Sequence, residues 1–331
     1  MKKSGIMSAA VASAVMAITA SQAHAEDLRI AYFASSSQNG YNIAVYEGMQ
    51  ARAAEIGGIT TEMFDGAFDA TVQYGQIEDV LTSGRFDGYV LFANDTVGVA
   101  GAVEQIIAED KPIATVLFPI GPDLGTLDPQ VDGLTATIGA LPAAGARLQA
   151  EEVVKFCADK DPCRVVAIIG FMVSDFDQTR LAAYKEVFDA HDNIEIVATG
   201  EGFYSPDASL TVMQDVLQAN PEFDVVITNA DQQMMGVEIA LESSGIAVKP
   251  LFLSGGGASI LGVEAVREGR WDNTLAQFPY TMGVLALDAV IADLNGEEYP
   301  TAIDMDAEGP VPAILTKEVL DANPDFIGEW N

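Results

Sequence analysis

The chain has 331 residues, 49% of them hydrophobic, and a formal net charge of −33 at pH 7. This acidic excess repels nucleic acid and anionic membrane surfaces, so we expect no nucleic-acid partner. The length suits two domains of ordinary size, and the hydrophobic content is sufficient for a substantial core.

Residues 1–25 have the pattern of a secretory signal peptide. Two lysines precede an apolar run from Ile6 to Ala20, and a cleavage signal of small residues ends at Ala25. An amino-terminal membrane anchor is the alternative, but the run is too short to span a bilayer and no stop-transfer pattern follows. We therefore expect export to the periplasm with cleavage after Ala25.

Apolar, β-branched runs alternate with longer stretches of helical periodicity along the rest of the chain. Continuous apolar strands separated by helices are typical of parallel sheets covered on both faces, so we predict an α/β fold. The predicted strands are residues 28–33, 59–64, 88–92, 113–117, 165–169, 194–198, 225–228, 251–254 and 274–277. The predicted helices are residues 41–56, 71–83, 97–108, 143–156, 178–190, 207–218, 232–243, 260–268 and 282–294.

These elements form two groups, separated by a connection at residues 119–142 that contains proline and glycine. The elements that follow residue 274 are too few for a third domain, and we expect them to complete the first two. The prediction is two similar lobes joined by several crossings of a hinge. The first lobe takes residues 26–136 plus about 279–298, and the second takes residues 137–278 plus about 299–331.

Cys157 and Cys163 are the only cysteines, and they bracket a short loop between a predicted helix and a predicted strand. In an exported protein we predict that they form a disulfide. A redox or metal site is the alternative, but the spacing is not that of a redox pair and no histidine is near.

The residues that follow the predicted strands are rich in asparagine, aspartate, glutamine and aromatic side chains, and poor in lysine and arginine. Ligands of open parallel sheets bind beyond the carboxyl ends of the strands. Amides and carboxylates pair with hydroxyl groups, and aromatic rings cover the C–H faces of a sugar or polyol. The pattern indicates a neutral hydroxylated ligand, although residues such as Asp95 and Asp231 could simply cap helices.

Several stretches resemble the periplasmic sugar-binding proteins of the ribose-binding type. They are LRIAYFASSSQNGYNIAVYEGM at residues 28–49, together with residues 86–116, 208–236 and 274–283. The resemblance implies two flavodoxin-like lobes (the type I periplasmic binding protein fold) with a multi-strand hinge, closing on a sugar. It also implies a monomer that serves the permease and ATPase of an ABC importer, with no cofactor and no metal.

The resemblance also implies a binding site, in which several positions depart from ribose binders. Asn42 stands where they have a second stacking aromatic, Leu117 and Phe118 replace a charged pair, and an aspartate is missing at Gly255–Gly257. These departures predict a short polyol or a deoxy or branched sugar. The expected ligand-binding residues are Asn39, Tyr41, Asn42, Asn94, Phe118, Gln178 (with Arg180 two residues on), Tyr204, Asn229, Asp231 and Gln277.

The sequence also bears on other classes of protein. A Ser-His-Asp enzyme is disfavoured because the only histidines are His24 and His191, and we predict that the protein is not an enzyme. A receptor that hands a signalling molecule to a membrane sensor remains open. Residues 304–309 resemble the start of a calcium loop, but Leu315 occupies the position of the required glutamate, which favours a solvated acidic turn.

Overall fold

Two separate sheets organise the chain in this computed structural model, which describes residues 27–220 and 222–331. Each sheet has six strands, and helices pack against both sheets, so the predicted α/β fold of two lobes is confirmed. The predicted signal peptide lies outside the described residues. The strands are β1 (Leu28–Ala34), β2 (Ile59–Asp65), β3 (Gly88–Leu91), β4 (Ile113–Leu117), β5 (Ala136–Gly139), β6 (Cys163–Ile169), β7 (Ile194–Glu201), β8 (Val225–Thr228), β9 (Phe252–Gly257), β10 (Asn273–Ala276), β11 (Ala302–Asp304) and β12 (Ile314–Thr316). The helices are α1 (Gly40–Ile56), α2 (Ala70–Ser83), α3 (Ala100–Ala108), α4 (Pro142–Phe156), α5 (Asp175–Phe188), α6 (Pro206–Ala219), α7 (Asp231–Ser243), α8 (Ile260–Arg267), α9 (Pro279–Leu294), α10 (Met305–Glu308) and α11 (Lys317–Ala322).

The first sheet has the order β11-β5-β4-β3-β1-β2, and the second has the order β12-β10-β9-β8-β6-β7. Among the described residues the strand pairs are parallel, apart from the antiparallel pair of β10 with β12. Every residue of β3 and β4 is buried, as expected for strands covered on both faces. The parallel order brings the carboxyl ends of neighbouring strands to one edge of each sheet, which is where ligands bind.

The chain passes between the two sheets three times. The first crossing leads from β5 to α4, the second from β10 to α9, and the third from β11 through α10 to β12. Strand β11 pairs with β5 in the first sheet, although the sequence analysis placed residues 299–331 in the second lobe. The other domain boundaries stay predictions.

Each predicted strand and helix has its counterpart in the structure, with ends that differ by less than a helical turn. Five further elements were not predicted, and four of them have only three or four residues each. They are β5, β11, β12, α10 and α11.

A disulfide joins Cys157 to Cys163, as predicted. It closes the loop between α4 and β6 at the amino-terminal end of that strand. The covalent link therefore lies at the edge of the second sheet opposite to the edge where ligands bind.

The acidic segment at residues 304–309 forms α10 within the third crossing, where Asp304 accepts a hydrogen bond from the Asp306 backbone N–H at 3.0 Å. Burial and the charge of Asp304 raise the pKa of Asp306 to about 6, although Arg180 lowers it. The interpretation as a solvated acidic turn is therefore wrong for Asp306, which faces the hinge. In residues 27–220 and 222–331 we find no group of three or more His, Cys, Asp or Glu that could hold a metal ion.

None of the helices in the described part of the chain is both long enough and apolar enough to cross a membrane.

Candidate functional site

A cleft of about 560 Å³ lies between the two lobes, at the carboxyl ends of the strands. Its volume is within the range of pockets that hold small molecules. Six of the predicted ligand-binding residues line it: Asn39, Tyr41, Asn42, Asn94, Phe118 and Tyr204.

A row of aromatic rings crosses the cleft from one lobe to the other. The centroids of neighbouring rings along the row are 5.6, 5.8, 5.3 and 4.5 Å apart. All four contacts in the row are edge-to-face, an arrangement that aromatic quadrupoles favour. The row therefore gives the cleft a continuous apolar surface. In order, it consists of Trp330, Tyr41, Phe92, Phe118 and Phe176.

Asp177 anchors a polar wall on the second lobe, close to the end of the aromatic row. The Tyr204 hydroxyl donates to Asp177 Oδ1 at 2.5 Å, and the Asn229 amide donates to the same oxygen at 2.6 Å. The Phe171 backbone N–H donates to Asp177 Oδ2 at 2.8 Å. Burial raises the pKa of Tyr204 well above its usual value, and the charge of Asp177 raises it further, so the hydroxyl stays protonated and remains a donor.

Arg180 completes the wall one turn later on α5. Arg180 is only 2% exposed, and its guanidinium donates to the Asn229 carbonyl at 2.9 Å and to Gln149 Oε1 at 3.1 Å. Within residues 27–220 and 222–331, no carboxylate lies within 4.0 Å of it. Burial lowers the pKa of Arg180, but the nearby Tyr184, Tyr204 and Asp177 more than offset this, so the guanidinium stays charged. A guanidinium has five N–H donors, so several remain for a ligand.

The first loop, between β1 and α1, uses its two asparagines differently. Asn42 Oδ1 already accepts from Tyr32 and from both the backbone and the hydroxyl of Ser35, at 2.9–3.2 Å. Its amide donates to Asn39 Oδ1 at 3.2 Å. Asn42 therefore positions the loop, whereas the amide nitrogen of Asn39 has no acceptor among the described residues and can donate to a ligand.

Asn94 follows β3, and its side chain joins neighbouring loop segments of the first lobe by hydrogen bonds. Its amide nitrogen donates to the carbonyl oxygens of Ser35, Gly66 and Asp69, at 3.2–3.4 Å. Its side-chain oxygen is therefore the atom that remains for a ligand. The amide of Asn39 and the oxygen of Asn94 thus offer one donor and one acceptor on the first lobe.

Phe118 is directed into the cleft by a tight turn at the end of β4. The Phe118 backbone N–H donates to the Val116 carbonyl at 2.9 Å, and the residue between them, Leu117, has a φ of 67°. A positive φ is unfavourable for leucine, and such conformations concentrate at functional sites. Leu117 and Phe118 both line the cleft, which supports the predicted apolar wall.

Four predicted residues do not line the cleft. Asn229 is behind the wall and holds Asp177, and Gln178 is exposed and donates to the Met172 carbonyl at 2.7 Å. Asp231 turns into the second lobe, where its carboxylate accepts from the Ser259 backbone and the Thr274 hydroxyl at 2.6 and 2.7 Å. Burial raises the pKa of Asp231 to about 7, although these hydrogen bonds lower it.

Gln277, the fourth, lines a separate cavity of about 10 Å³ where the three crossings meet. This volume is close to that of one water molecule. The cavity also contacts Arg180 and Asp306, so Arg180 touches both the ligand cleft and the hinge.

Sequence reasoning missed Asp177, Phe176 and Trp330 as cleft residues. Asp177 lies in the first turn of α5, where acidic residues are common because they complement the helix dipole. The loop between β6 and α5 follows a predicted strand, and this position at a strand end is the signal that could identify Asp177 and Phe176. Trp330 is far along the chain from the other site residues, and no local pattern points to it.

Two α/β lobes around a cleft of this size define a two-lobed solute-binding protein, and comparisons with known proteins agree. A sequence profile for the periplasmic binding protein domain matches residues 30–298. A ribose import binding protein of Haemophilus influenzae is 24% identical over 286 residues, which are 86% of this chain and 92% of that protein.

Solved structures show the same fold at low sequence identity. A periplasmic solute binding protein of an ABC transporter from Actinobacillus succinogenes, with bound D-allose, has a TM-score of 0.77 and 21% identity, covering 89% of this chain and 99% of that one. A solute binding protein from Bacillus halodurans, with bound myo-inositol, has a TM-score of 0.77 and 22% identity, covering 91% and 98% of the two chains.

The chain belongs to the periplasmic binding protein family. The resemblance to type I sugar-binding proteins of the ribose-binding type is thereby confirmed. The family and its relatives are solute-binding proteins rather than enzymes, and membership implies a periplasmic location.

Proposed function

We propose that this protein captures a neutral sugar or small polyol between its two closing lobes and delivers it to the permease of an ATP-driven importer. The observation that carries the proposal is the pairing of the aromatic row with the wall of Asp177 and Arg180. One side of the cleft suits the C–H face of a sugar or polyol, and the other suits its hydroxyl groups.

The charges of the cleft argue against a phosphorylated ligand. Its lining contains four aspartates and only one cationic side chain, that of Arg180. Anionic ligands are held by several cationic groups or by a helix amino terminus aimed at them. A neutral ligand can accept from Arg180 and donate to Asp177 without meeting an excess of like charge. The four aspartates are Asp69, Asp95, Asp175 and Asp177.

The wall of Leu117 and Phe118 supports a ligand that is less polar than ribose on one side. Charge-assisted hydrogen bonds are roughly twice as strong as neutral ones, and no charged pair stands at these two positions. A short polyol, or a deoxy or branched sugar, would place a less hydroxylated side against these residues. The D-allose and myo-inositol bound in the similar structures are a neutral sugar and a neutral polyol that are hydroxylated throughout, so they support the neutral class of ligand and not the less hydroxylated side.

Capture follows from the arrangement of two lobes around one site. The first lobe supplies Tyr41 and Phe92 and the second supplies Asp177 and Arg180, so only a closed form satisfies the ligand from both sides. A ligand with higher affinity for the closed form shifts the population towards it. The closed form would then be what the permease recognises, with the ATPase driving transport.

The proposal is tested by isothermal calorimetry and thermal melting. The probes are D-ribose, D-allose, myo-inositol and glycerol, and ribose 5-phosphate is the charged comparison. We expect a neutral compound to bind, and at about 100 times its Kd to stabilise the folded protein by about 2.7 kcal/mol. Binding of the phosphorylated compound alone would contradict the proposal. Deletion of the gene should then abolish uptake of the same neutral compound.

The variant Phe118→Ala locates the site. Truncation of a central aromatic should weaken binding by about 2 kcal/mol, which is roughly 30-fold. Phe252→Ala is the matched control, because Phe252 is buried in the second lobe against Phe156 and does not line the cleft. It should lower stability and leave the affinity unchanged.

A further inference from the structure

Residues 325–331, which we term the clasp segment, contact the second lobe closely. The Ile260 backbone N–H, at the start of α8, donates to the Trp330 carbonyl at 2.7 Å. The Arg267 guanidinium donates to the Phe326 carbonyl at 2.7 Å. The segment is therefore fixed to α8 at two points.

The same segment is also fixed to the first lobe. The Glu329 carboxylate accepts from the Thr281 backbone N–H at 3.0 Å and from the Thr281 hydroxyl at 2.5 Å, and Thr281 lies in the first turn of α9. Gly40, at the start of α1, is so close to the Asn331 carbonyl that any side chain at position 40 would collide with it. The clasp segment thus touches both lobes within three consecutive residues.

Trp330 lies at the centre of these contacts and reaches the ligand cleft. Its indole N–H donates to the Gly257 carbonyl of β9 at 2.5 Å, and its ring meets Tyr41 of the first lobe at 5.6 Å between centroids. Gly257 has a φ of 107°, and a side chain there would overlap the indole. Trp330 is 4% exposed, and its ring is the first member of the aromatic row.

We propose that Trp330 is a specificity-determining residue, whose indole is carried into the cleft by the clasp segment and completes the ligand surface only when both lobes are engaged. The proposal rests on the proposed function, since it concerns the same cleft. The indole is hydrogen-bonded to Gly257 of the second lobe and contacts Tyr41 of the first lobe. Its position therefore depends on the distance between the two lobes. The fit of a ligand against this end of the row would depend on the shape of the ring.

The chain has two tryptophans, which allows a matched pair of variants. Trp271 is buried in the second lobe, where its indole N–H donates to Glu238 at 3.2 Å, and it does not line the cleft. Trp271→Phe leaves Trp330 as the only indole, and Trp330→Phe leaves Trp271. With D-ribose, D-allose, myo-inositol and glycerol as probes, we expect a compound that binds to change the emission of the first variant and to protect it from acrylamide quenching. The second variant should show neither change.

Affinity provides the second readout. We expect Trp330→Leu to bind the preferred probe at least about tenfold more weakly, and Trp330→Phe to alter the ranking of the four probes, since aromatic anchors of this kind dominate binding. Trp271→Phe should preserve both affinity and ranking. The proposal would be overturned if both Trp330 variants had the Kd values and the ranking of wild type. It would also be overturned if a probe bound to Trp271→Phe without changing the emission of Trp330.

Scattering of the protein without ligand separates this proposal from the proposed function. Weakening the clasp segment should shift the population towards open forms, so Trp330→Leu should have a larger radius of gyration than wild type and Trp271→Phe should not. If no probe binds wild type, the proposed function fails, and the scattering result still decides whether Trp330 joins the lobes. An identical radius of gyration in Trp330→Leu and wild type would refute that role.

Discussion

At the scale of single residues, the cleft depends on how firmly its charged groups are held. Asp177 receives hydrogen bonds from Tyr204, Asn229 and the Phe171 backbone, so its carboxylate is fixed before any ligand arrives. Arg180 is likewise held by neutral acceptors, which leaves its charge unpaired by any carboxylate of the described residues. Such preorganisation lowers the cost of binding, because fewer groups must be ordered by the ligand.

The variant Tyr204→Phe tests this preorganisation. It removes the hydroxyl that donates to Asp177 and keeps the ring, so we expect a loss of about 2 kcal/mol in the free energy of unfolding and a weaker affinity for the ligand. Urea unfolding and calorimetry measure the two effects. Tyr46→Phe is the control, because it removes a hydrogen bond to the Thr61 carbonyl away from the cleft. An affinity equal to wild type in Tyr204→Phe would show that the wall does not touch the ligand.

Asp231 gives a prediction about pH. Its folded-state pKa of about 7 lies above the ordinary value, so its contribution to stability is full below pH 4 and is lost as the pH rises through 7. Relative to Asp231→Asn, the wild-type free energy of unfolding should fall by on the order of 3 kcal/mol between pH 5 and pH 8. Urea titrations across this range measure the difference. Parallel pH profiles for the two proteins would contradict it.

Asp224 provides a comparison of opposite sign. Its pKa is lowered, because hydrogen bonds from the Arg164 backbone and Lys160 outweigh the effect of burial. Its contribution is therefore present above the ordinary pKa and is lost as the pH falls. Asp224→Asn should change the profile only on the acid side.

The sequence could identify individual site residues only where a strand end marked them. Asn39, Tyr41, Asn94, Phe118 and Tyr204 follow recognisable strands, and they line the cleft. The sequence could not show that the side-chain oxygen of Asn42 accepts hydrogen bonds from Tyr32 and Ser35, or that Asp231 points into the second lobe. Hydrogen-bond partners of this kind are set by tertiary packing. Trp330 is brought to the cleft by the clasp segment, a contact with no local signature.

At the scale of elements, long apolar strands could be predicted and the shortest strands could not. Strands such as β1 and β6 carry seven residues of apolar pattern, which is enough to identify them. Strands β11 and β12 have three residues each, and their strand structure comes from pairing with β5 and β10 at the sheet edges. Such short segments have too little pattern of their own, which also explains why β11 was assigned to the other lobe.

The disulfide between α4 and β6 should act on stability alone. Closing a loop of this length is expected to contribute about 2 kcal/mol, mainly by restricting the unfolded chain. Because the loop lies at the end of β6 opposite to the cleft, we expect Cys157→Ser with Cys163→Ser to lower the free energy of unfolding and to leave the ligand Kd unchanged. Chemical unfolding and calorimetry test both statements. A changed Kd would show that the loop is coupled to the site.

At the scale of the whole molecule, three crossings and the clasp segment hold two lobes around one cleft. The crossings meet at the small cavity that is lined by Gln277, Asp306 and Arg180. Arg180 therefore touches both the ligand cleft and the hinge, so a ligand that binds it can influence closure. Hinge motion of this kind is a known mode of ligand capture by two-lobed proteins.

The distance between the lobes is the most direct test of capture by closure. Both native cysteines are in the disulfide, so spin labels can be attached through Glu78→Cys on α2 and Asp215→Cys on α6, which are exposed positions on different lobes. Pulsed electron paramagnetic resonance is then recorded with and without a neutral sugar or polyol that binds. We predict that the ligand shortens and narrows the distance distribution. A compound that binds in the cleft and leaves the distribution unchanged would contradict closure on the ligand.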